Sequence, residues 1–285
     1  NAYSRIYPYY KSTPADGGVA TQRANSLWAL AKNLFYRGKI DMPTTQSSLI
    51  STGRIRTYEP NVVFQNSQKY DLSNGFGYVT SAFNVKDTAA WNKTIVMEAE
   101  YGSSFGMNLA NFSAAIQSGA GMSAPVSNKY YLALTDVSVN GLTKPSVTFP
   151  IPYTLSTKYN IYCVFIPRKE LDPTDLRPSK VRFYVNYLNS AGNSVIGYVD
   201  SKNTIQSGSS ALATFTTDPN AIQKMLVAKN VVLPYSNVTF NGLTTAENLA
   251  KIKFSLKVEI NSGKTDATFS RSPMIDCIIL EPVIE

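Results

Sequence analysis

The strongest constraint on the fold is a long series of short β-type segments that runs from about residue 50 to the end of the chain. Thirteen segments rich in Val, Ile, Tyr, Phe and Thr follow one another, and Asn, Gly, Pro and Ser separate them at hairpin intervals. The regular intervening helices of a parallel α/β fold are missing. The pattern therefore predicts a mainly β protein, an antiparallel β-sandwich or jelly roll, or two of them.

Residues 1–49 follow a different pattern. Apolar residues recur at helical spacing between Ala20 and Leu34, and Gly38 stands where such a helix would end, so we predict an amphipathic helix. The preceding segment, NAYSRIYPYY, is predicted to be an extended arm, because Pro8 disfavours a regular helix. The expected domains are the arm and helix in 1–49 and the β body in 50–285, with a further division near residue 90 left open.

Up to two short helices are predicted inside the β body. Asp218 can cap a helix that begins at Pro219, and Thr244 with Glu247 matches a capping box. The segment NLANFSAAIQSGAG is compatible with either a turn of helix or a loop.

Few residues are charged, and the charge is unevenly distributed. Charged residues make up 16% of the chain and the formal net charge is +8. Residues 1–60 contain eight basic and three acidic residues, so this region could face nucleic acid or another polyanion. Because these charges are spread singly and form no dense run, an ordinary solvated surface is the favoured interpretation.

The chain contains no histidine and only two cysteines. The absence of imidazole removes the usual proton carrier of hydrolases and a common metal ligand. Cys163 and Cys277 each lie in an apolar segment, and they are either two buried thiols or one disulfide between distant strands. The sequence starts with Asn1 rather than Met, as expected of a processed or trimmed N-terminus.

Three Asn-x-Ser/Thr sequons provide possible glycosylation sites at Asn92, Asn111 and Asn237. Because the chain is rich in Asn, Ser and Thr, a similar number would arise by chance, so the sequons do not indicate secretion. No apolar run is long enough for a transmembrane helix.

Glu98 and Glu100 form the most distinctive acidic pair. They stand two residues apart in a β-type segment, so their side chains are expected on one face. Such a pair can act as glycosidase acid and base, can bind a hard cation, or can simply face solvent.

A resemblance adds to this pattern. IVMEAEYGSS and the C-terminal SPMIDCIILEPV resemble the first and last strands of galactose-binding-like β-sandwiches of the carbohydrate-binding-module type. The segments KYNIYCVFI and KVRFYVNYL resemble the central strands of that family, so the resemblance covers residues 92–285. It implies a structural Ca²⁺ held by Glu98 or Glu100 together with Asp276, and no other cofactor.

Our main hypothesis from sequence is a non-enzymatic, self-assembling structural subunit, either a virion coat protein of the capsid type or an extracellular filament or surface-layer protomer. In this hypothesis the arm packs on a neighbouring copy through its aromatic side chains, with Trp28 of the helix. The residues concerned are Tyr3, Tyr7, Tyr9, Tyr10 and Trp28.

The alternative is a carbohydrate-binding module or adhesin that binds glycans with tyrosine side chains. A hydrolase that uses Glu98 or Glu100 is the third hypothesis, but no second motif completes its site. We therefore predict no catalytic residues. The expected partners are copies of the chain, with nucleic acid or glycans as further candidates, in a virion or outside the cell.

Overall fold

The computed structural model describes residues 2–33, 41–42, 49–50, 57–82, 84, 91–139, 143–238 and 245–283. The chain divides into two compact units, unit 1 (residues 1–93) and unit 2 (residues 94–285). The predicted junction between residues 49 and 50 is flanked by residues 43–48 and 51–56, which lie outside the described part. Within the described part, no helix is both long enough and apolar enough to span a membrane.

Unit 1 contains helices and short hairpin strands. The α-helices in its described residues are α1 (Ala2–Ile6), α2 (Gly18–Asn33) and α3 (Pro60–Val63). Two 3₁₀ turns, Tyr7–Tyr10 and Pro14–Asp16, connect α1 with α2. The strands are β1 (Leu49–Ile50), β2 (Thr57–Tyr58), β3 (Gln68–Leu72) and β4 (Gly75–Val79), which pair as β1–β2 and β3–β4.

The prediction of an extended N-terminal arm is wrong, because residues 2–10 are helical and pack against α2. Pro8 lies in the first turn of the 3₁₀ helix, where the missing N–H costs no internal hydrogen bond. Ile6 is fully buried and Tyr10 is 4% exposed. Burial of one such side chain contributes about 1.5–3 kcal/mol, which favours a packed segment over a free arm.

The other arm aromatics also contact their own unit. The Tyr3 and Tyr7 rings lie 5.4 Å apart between centroids, and the Tyr9 ring lies 6.4 Å from that of Trp91. Trp28 is exposed on α2, with the Lys32 ammonium 5.6 Å above its ring. The role of these residues in assembly stays a prediction.

The predicted helix α2 is confirmed from Gly18 to Asn33, but its orientation differs from the expected one. Gln22, Ser26 and Ala29 face inward, and the Gln22 side chain donates a hydrogen bond to the Tyr7 carbonyl at 2.9 Å. Leu27, one of the apolar residues at helical spacing between Ala20 and Leu34, is 57% exposed. Leu34 and Gly38 lie outside the described residues.

The described part of unit 2 contains two antiparallel sheets. The strands of the six-stranded sheet are β5 (Ile95–Glu98), β7 (Phe112–Ser118), β8 (Tyr130–Asp136), β10 (Lys158–Ile166), β15 (Gln223–Val232) and β17 (Met274–Pro282). Their order is β15-β10-β17-β8-β7, and β5 also pairs with β17.

The strands of the seven-stranded sheet are β6 (Asn108–Ala110), β9 (Ser146–Pro150), β11 (Lys180–Leu188), β12 (Ser194–Val199), β13 (Ile205–Gln206), β14 (Phe215–Thr216) and β16 (Ser255–Ile260). Their order is β13-β12-β11-β16-β9-β6, and β14 also pairs with β11. The described part of unit 2 also contains the α-helix α4 (Ala246–Leu249). Its 3₁₀ turns lie at Ala99–Phe105, Ser127–Lys129, Arg168–Glu170 and Ser209–Ala211.

The two sheets enclose one hydrophobic core, so the predicted β-sandwich is confirmed. Alternate residues of β11 are buried, among them Val181, Phe183 and Val185, as expected for strands with one solvent face. The ring centroids of Phe165 on β10 and Phe183 lie 6.3 Å apart, which places the inner faces of the two sheets in contact.

One of the inserted helices is present and the other is absent. The short helix α4 contains Glu247, whereas Thr244 lies outside the described residues. The helix predicted after Pro219 is wrong: β15 begins at Gln223 and pairs with β10, with Met225 opposite Cys163. Asp218 instead closes a local turn, accepting a hydrogen bond from the Asn220 N–H at 2.7 Å.

Candidate functional site

Three carboxylates meet on the six-stranded sheet where β17 changes its neighbour. Ile275 of β17 pairs with β8, whereas Cys277 pairs with Glu98 of β5. Asp276 falls between these two pairings and is 4% exposed. β5 ends at Glu98, so Glu100 lies in the following 3₁₀ turn and not on the strand as expected. The structure nevertheless brings together the three predicted residues, which we call the carboxylate cluster.

The turn Ser127–Lys129 holds the carboxylate cluster in place. The Ser127 N–H donates to both carboxylate oxygens of Asp276, at 3.0 and 3.1 Å, and its hydroxyl donates to Glu98 Oε1 at 2.6 Å. The Asn128 side-chain amide donates to Glu100 Oε1 at 3.0 Å. Asn128 adopts φ +48°, a left-handed conformation that asparagine tolerates better than most residues.

These hydrogen bonds leave part of the cluster unsatisfied. Among the described residues, the buried oxygens Glu98 Oε2 and Glu100 Oε2 have no hydrogen-bond partner. Burial raises the pKa of Asp276 to about 6, and the negative charges of Glu98 and Glu100 add to the effect. Burial also raises the pKa of Glu98, against the lowering effect of its bond to Ser127. A cluster of this kind carries an electrostatic cost that a bound cation would offset.

Two members of the carboxylate cluster, Glu98 and Asp276, supply oxygen atoms of the type that a hard divalent cation prefers. One ligand atom from each of Glu98, Asp276 and Cys277 lies within 4.8 Å of the others. Carboxylate oxygens are the usual ligands of Ca²⁺, whereas thiolate prefers softer metals. Burial and the charge of Asp276 raise the pKa of the Cys277 thiol, so its sulfur stays protonated. The oxygens of Glu98 and Asp276 are therefore the candidate ligands.

The two cysteines lie on paired strands. Both are free, buried thiols, and Cys163 is paired with Ile278 rather than with Cys277. This is the first of the two sequence alternatives. Burial raises the pKa of the Cys163 thiol well above its usual value, so this thiol is unreactive.

The three sequons differ in accessibility. Asn92 is 4% exposed, so this fold has no room for a glycan on its side chain. The Asn237 amide donates to Thr154 Oγ1 at 2.9 Å, whereas Asn111 is exposed in the loop before β7. Asn111 is thus the most accessible of the three predicted acceptors.

A second candidate site lies on the outer face of the seven-stranded sheet. One line of directly paired residues crosses six strands of this face, and its outward side chains are aromatic or polar. We call it the tyrosine row: Gln206, Tyr198, Tyr184, Lys257, Thr148 and Asn108.

The centre of the tyrosine row is held together by contacts with Glu259. The Tyr184 hydroxyl donates to Glu259 Oε1 at 2.8 Å, and Lys257 Nζ lies 3.0 Å from Glu259 Oε2. The Lys257 ammonium lies 4.7 Å from the centre of the Tyr184 ring. The ring centroids of Tyr184 and Tyr198 lie 5.6 Å apart. Burial and the neighbouring Glu259 raise the pKa of Tyr184, which keeps its hydroxyl a donor. The centre is thus ordered before any ligand binds.

Arg182 and Asn186 flank Tyr184 on the same face of β11. The Arg182 Nε donates to Thr214 Oγ1 at 3.2 Å, and the Asn186 amide donates to Ser255 Oγ at 2.9 Å. Sequence reasoning noted the abundance of tyrosine but did not single out Tyr184 or Tyr198. The alternation in KVRFYVNYL, with Tyr184 between core residues, was the available signal.

No protein-family model and no curated protein matches the chain. Solved structures do match it. A xylan-binding domain of carbohydrate-binding module family 22 is 10% identical with a TM-score of 0.35, covering 66% of this chain and 96% of that one. The C-terminal family 22 module of Clostridium thermocellum Xyn10B is 9% identical with a TM-score of 0.34, covering 66% and 95%.

A carbohydrate esterase of the Shiga toxin-encoding bacteriophage phi24B also matches. It is 13% identical with a TM-score of 0.30, covering 67% of this chain and 98% of that one. All three similarities are distant.

Proposed function

We propose that unit 2 is a non-catalytic carbohydrate-binding module and that the tyrosine row is its glycan-binding surface. The observation that carries the proposal is the pre-ordered group of Tyr184, Tyr198, Lys257 and Glu259 on an outer sheet face. We further propose that the protein acts outside the cell or on a virion, where glycans are available as ligands.

The chemistry of this face suits a sugar. A pyranose ring has an apolar C–H face, which packs on aromatic rings, and a rim of hydroxyls, which needs donors and acceptors at fixed places. The tyrosine row supplies rings at its centre and the neutral polar side chains Gln206, Thr148 and Asn108 towards its ends. Because Glu259 already fixes Tyr184 and Lys257, little side-chain entropy is lost on binding.

The proposal of a non-enzymatic role is supported by the sequence and by the carboxylate cluster. The chain has no histidine. Glu98 and Glu100 are engaged by the turn Ser127–Lys129, on the six-stranded sheet, whereas the tyrosine row lies on the seven-stranded one. Neither glutamate belongs to the face where a sugar would lie.

We propose a structural role for the carboxylate cluster, as the holder of a Ca²⁺ ion. The buried, unpartnered oxygens of Glu98 and Glu100 support this role. A cation there would neutralise three close carboxylates and fix the turn Ser127–Lys129 against β17. Its expected effect is on stability and not on sugar chemistry.

The virion coat or filament subunit favoured by the sequence has lost its main support. That hypothesis rested on an aromatic arm without a place in its own domain, yet Ile6 and Tyr10 are buried within unit 1. The basic residues of the N-terminal region give no separate support for nucleic-acid binding, because they are spread singly along the sequence.

The test is affinity electrophoresis of the full chain against a panel of soluble plant, bacterial and animal polysaccharides, followed by calorimetric titration with oligosaccharides of each positive. We expect at least one glycan to bind, and we expect Tyr184→Ala to weaken it about tenfold or more, the effect of removing a central anchor.

The matched control is Tyr162→Ala. Tyr162 lies on the outer face of the other sheet, also with a lysine ammonium over its ring, at 4.2 Å. We expect this variant to bind as the unaltered chain does. Failure of every glycan in the panel to bind, or equal losses in both variants, would overturn the proposal.

A further inference from the structure

Strand β7 forms one edge of the six-stranded sheet. Among the described residues its only strand partner is β8. After the buried Phe112, every residue from Ser113 to Ser118 is exposed, and Ile116 is 56% exposed. The strand sequence FSAAIQS contains no charge, proline or glycine. It therefore lacks the features that usually protect an edge strand from pairing.

The backbone of β7 presents a regular row of groups on its open side. Gly119 N–H donates to Lys129 O at 2.9 Å, and Val137 N–H donates to Asn111 O at 3.0 Å. The register between these bonds runs without a shift from Phe112 to Ser118. Because alternate residues of an antiparallel strand bond to the same side, odd-numbered residues bond to β8. The N–H and C=O groups of residues 112, 114, 116 and 118 therefore point away from the sheet.

Three other described edge strands, β15, β6 and β13, are protected. Strand β15, at the opposite edge of the same sheet, carries Lys224 and Lys229, and its pairing with β10 is interrupted by register shifts. The edge strands of the seven-stranded sheet, β6 and β13, have only three and two residues. Charges, irregular pairing and shortness all disfavour strand addition. Among the described strands, β7 combines length, regular pairing and lack of charge.

We propose that two copies of this chain associate by antiparallel pairing of their β7 strands, which joins the six-stranded sheets into one continuous sheet. An extended segment without like charges fits such an edge, and β7 itself is such a segment with a self-complementary register. A two-fold axis beside Ala115 sets Ala114 opposite Ile116 of the second copy. Every outward N–H then faces an outward C=O, and both copies use the same surface.

The size of the surface sets the expected strength. One seven-residue strand from each copy buries less than the roughly 1,200 Å² of a stable interface, so the dimer is weak and reversible. Ala114 is small and leaves room for the Ile116 side chain of the second copy, which lies opposite it on the same face. The inference is independent of glycan binding, which uses the other sheet.

The experiment is sedimentation equilibrium of the full chain from about 10 µM to about 1 mM, the range in which small interfaces associate. We expect a concentration-dependent monomer–dimer equilibrium. Ile116→Lys places a charge on the open edge and is expected to raise the dissociation constant about tenfold or more. Val232→Lys, at a residue 52% exposed on the β15 edge, is the matched control and should leave the constant unchanged.

A second variant guards against misfolding. Ala114→Pro removes one outward N–H without removing a bond to β8, so it should weaken the dimer while the far-UV circular dichroism stays the same. A strict monomer at about 1 mM would overturn the proposal. A dimer that persists in both variants would also overturn it, because association would then use another surface.

Discussion

The two outer faces of the sandwich carry the same three residue types in different settings. On the six-stranded sheet Lys224 lies 4.2 Å from the Tyr162 ring centre and 2.5 Å from Glu281. On the seven-stranded sheet Lys257 lies 4.7 Å from the Tyr184 ring centre and 3.0 Å from Glu259. The side chains of Lys224 and Glu281 are 44% and 37% exposed, whereas those of Lys257 and Glu259 are 30% and 13% exposed.

The difference shows how one set of residue types can give either an ordinary surface or an ordered one. An exposed lysine–carboxylate pair is screened by water and contributes little. On the seven-stranded sheet the Glu259 carboxylate is mostly buried and also accepts a hydrogen bond from the Tyr184 hydroxyl. A second ring, that of Tyr198, packs beside the Tyr184 ring. Among its described residues, the six-stranded sheet has no such ordered group around Tyr162. Its candidate sites are the carboxylate cluster and the open edge of β7.

The largest expected effect is the stabilisation of unit 2 by Ca²⁺ through the carboxylate cluster, which lies on the six-stranded sheet only. At a Ca²⁺ concentration about 100 times its dissociation constant, binding adds about 2.7 kcal/mol to the stability of unit 2, which corresponds to a Tm increase of about 5–10 °C. Thermal unfolding is followed by far-UV circular dichroism, which reports on the β-sheets of unit 2. Tryptophan fluorescence would not do so, because both tryptophans, Trp28 and Trp91, belong to unit 1.

Two variants test the assignment to the carboxylate cluster. Asp276→Asn should abolish the response to Ca²⁺ without lowering the Tm in chelator, since it removes one of three repelling charges. Glu281→Gln, on the same strand but in the exposed ion pair, should keep the full response. A wild-type Tm that is equal in Ca²⁺ and in chelator would contradict the cation site.

A smaller effect is expected from the two lysines. Lys257→Met leaves the mostly buried carboxylate of Glu259 without its cation, and we expect it to lower the free energy of unfolding by about 1 kcal/mol. Lys224→Met removes an exposed pair and should cost no more than about 0.5 kcal/mol. Urea unfolding followed by circular dichroism measures both. Equal losses would show that Lys257 and Lys224 contribute equally to the free energy of unfolding, against this account.

The sandwich was predictable because its strands alternate between core and solvent. Residues such as Val181, Phe183 and Val185 show the two-residue period that one buried face imposes. The approach of Asp276 to Glu98 was expected through the family resemblance. Its cause, the change of neighbour along β17, depends on pairing between strands almost 180 residues apart and could not be derived from local sequence.

The errors arose where local preference and tertiary context disagree. Pro8 suggested an extended arm, yet a proline in the first turn is compatible with a 3₁₀ helix that buries Tyr10. Asp218 and Pro219 suggested a helix start, yet the residues after them complete the sheet beside β10. The tyrosine row was missed because it forms only when β11, β12 and β16 are aligned in register.

The most direct test of the proposed function is to locate the bound sugar by amide NMR shifts during titration with an oligosaccharide that binds. We predict that the largest shifts fall on Tyr184, Tyr198 and Lys257, on the outer face of the seven-stranded sheet. Shifts centred instead on Tyr162 and Lys224, or confined to unit 1, would contradict the assignment of the tyrosine row as the glycan-binding surface.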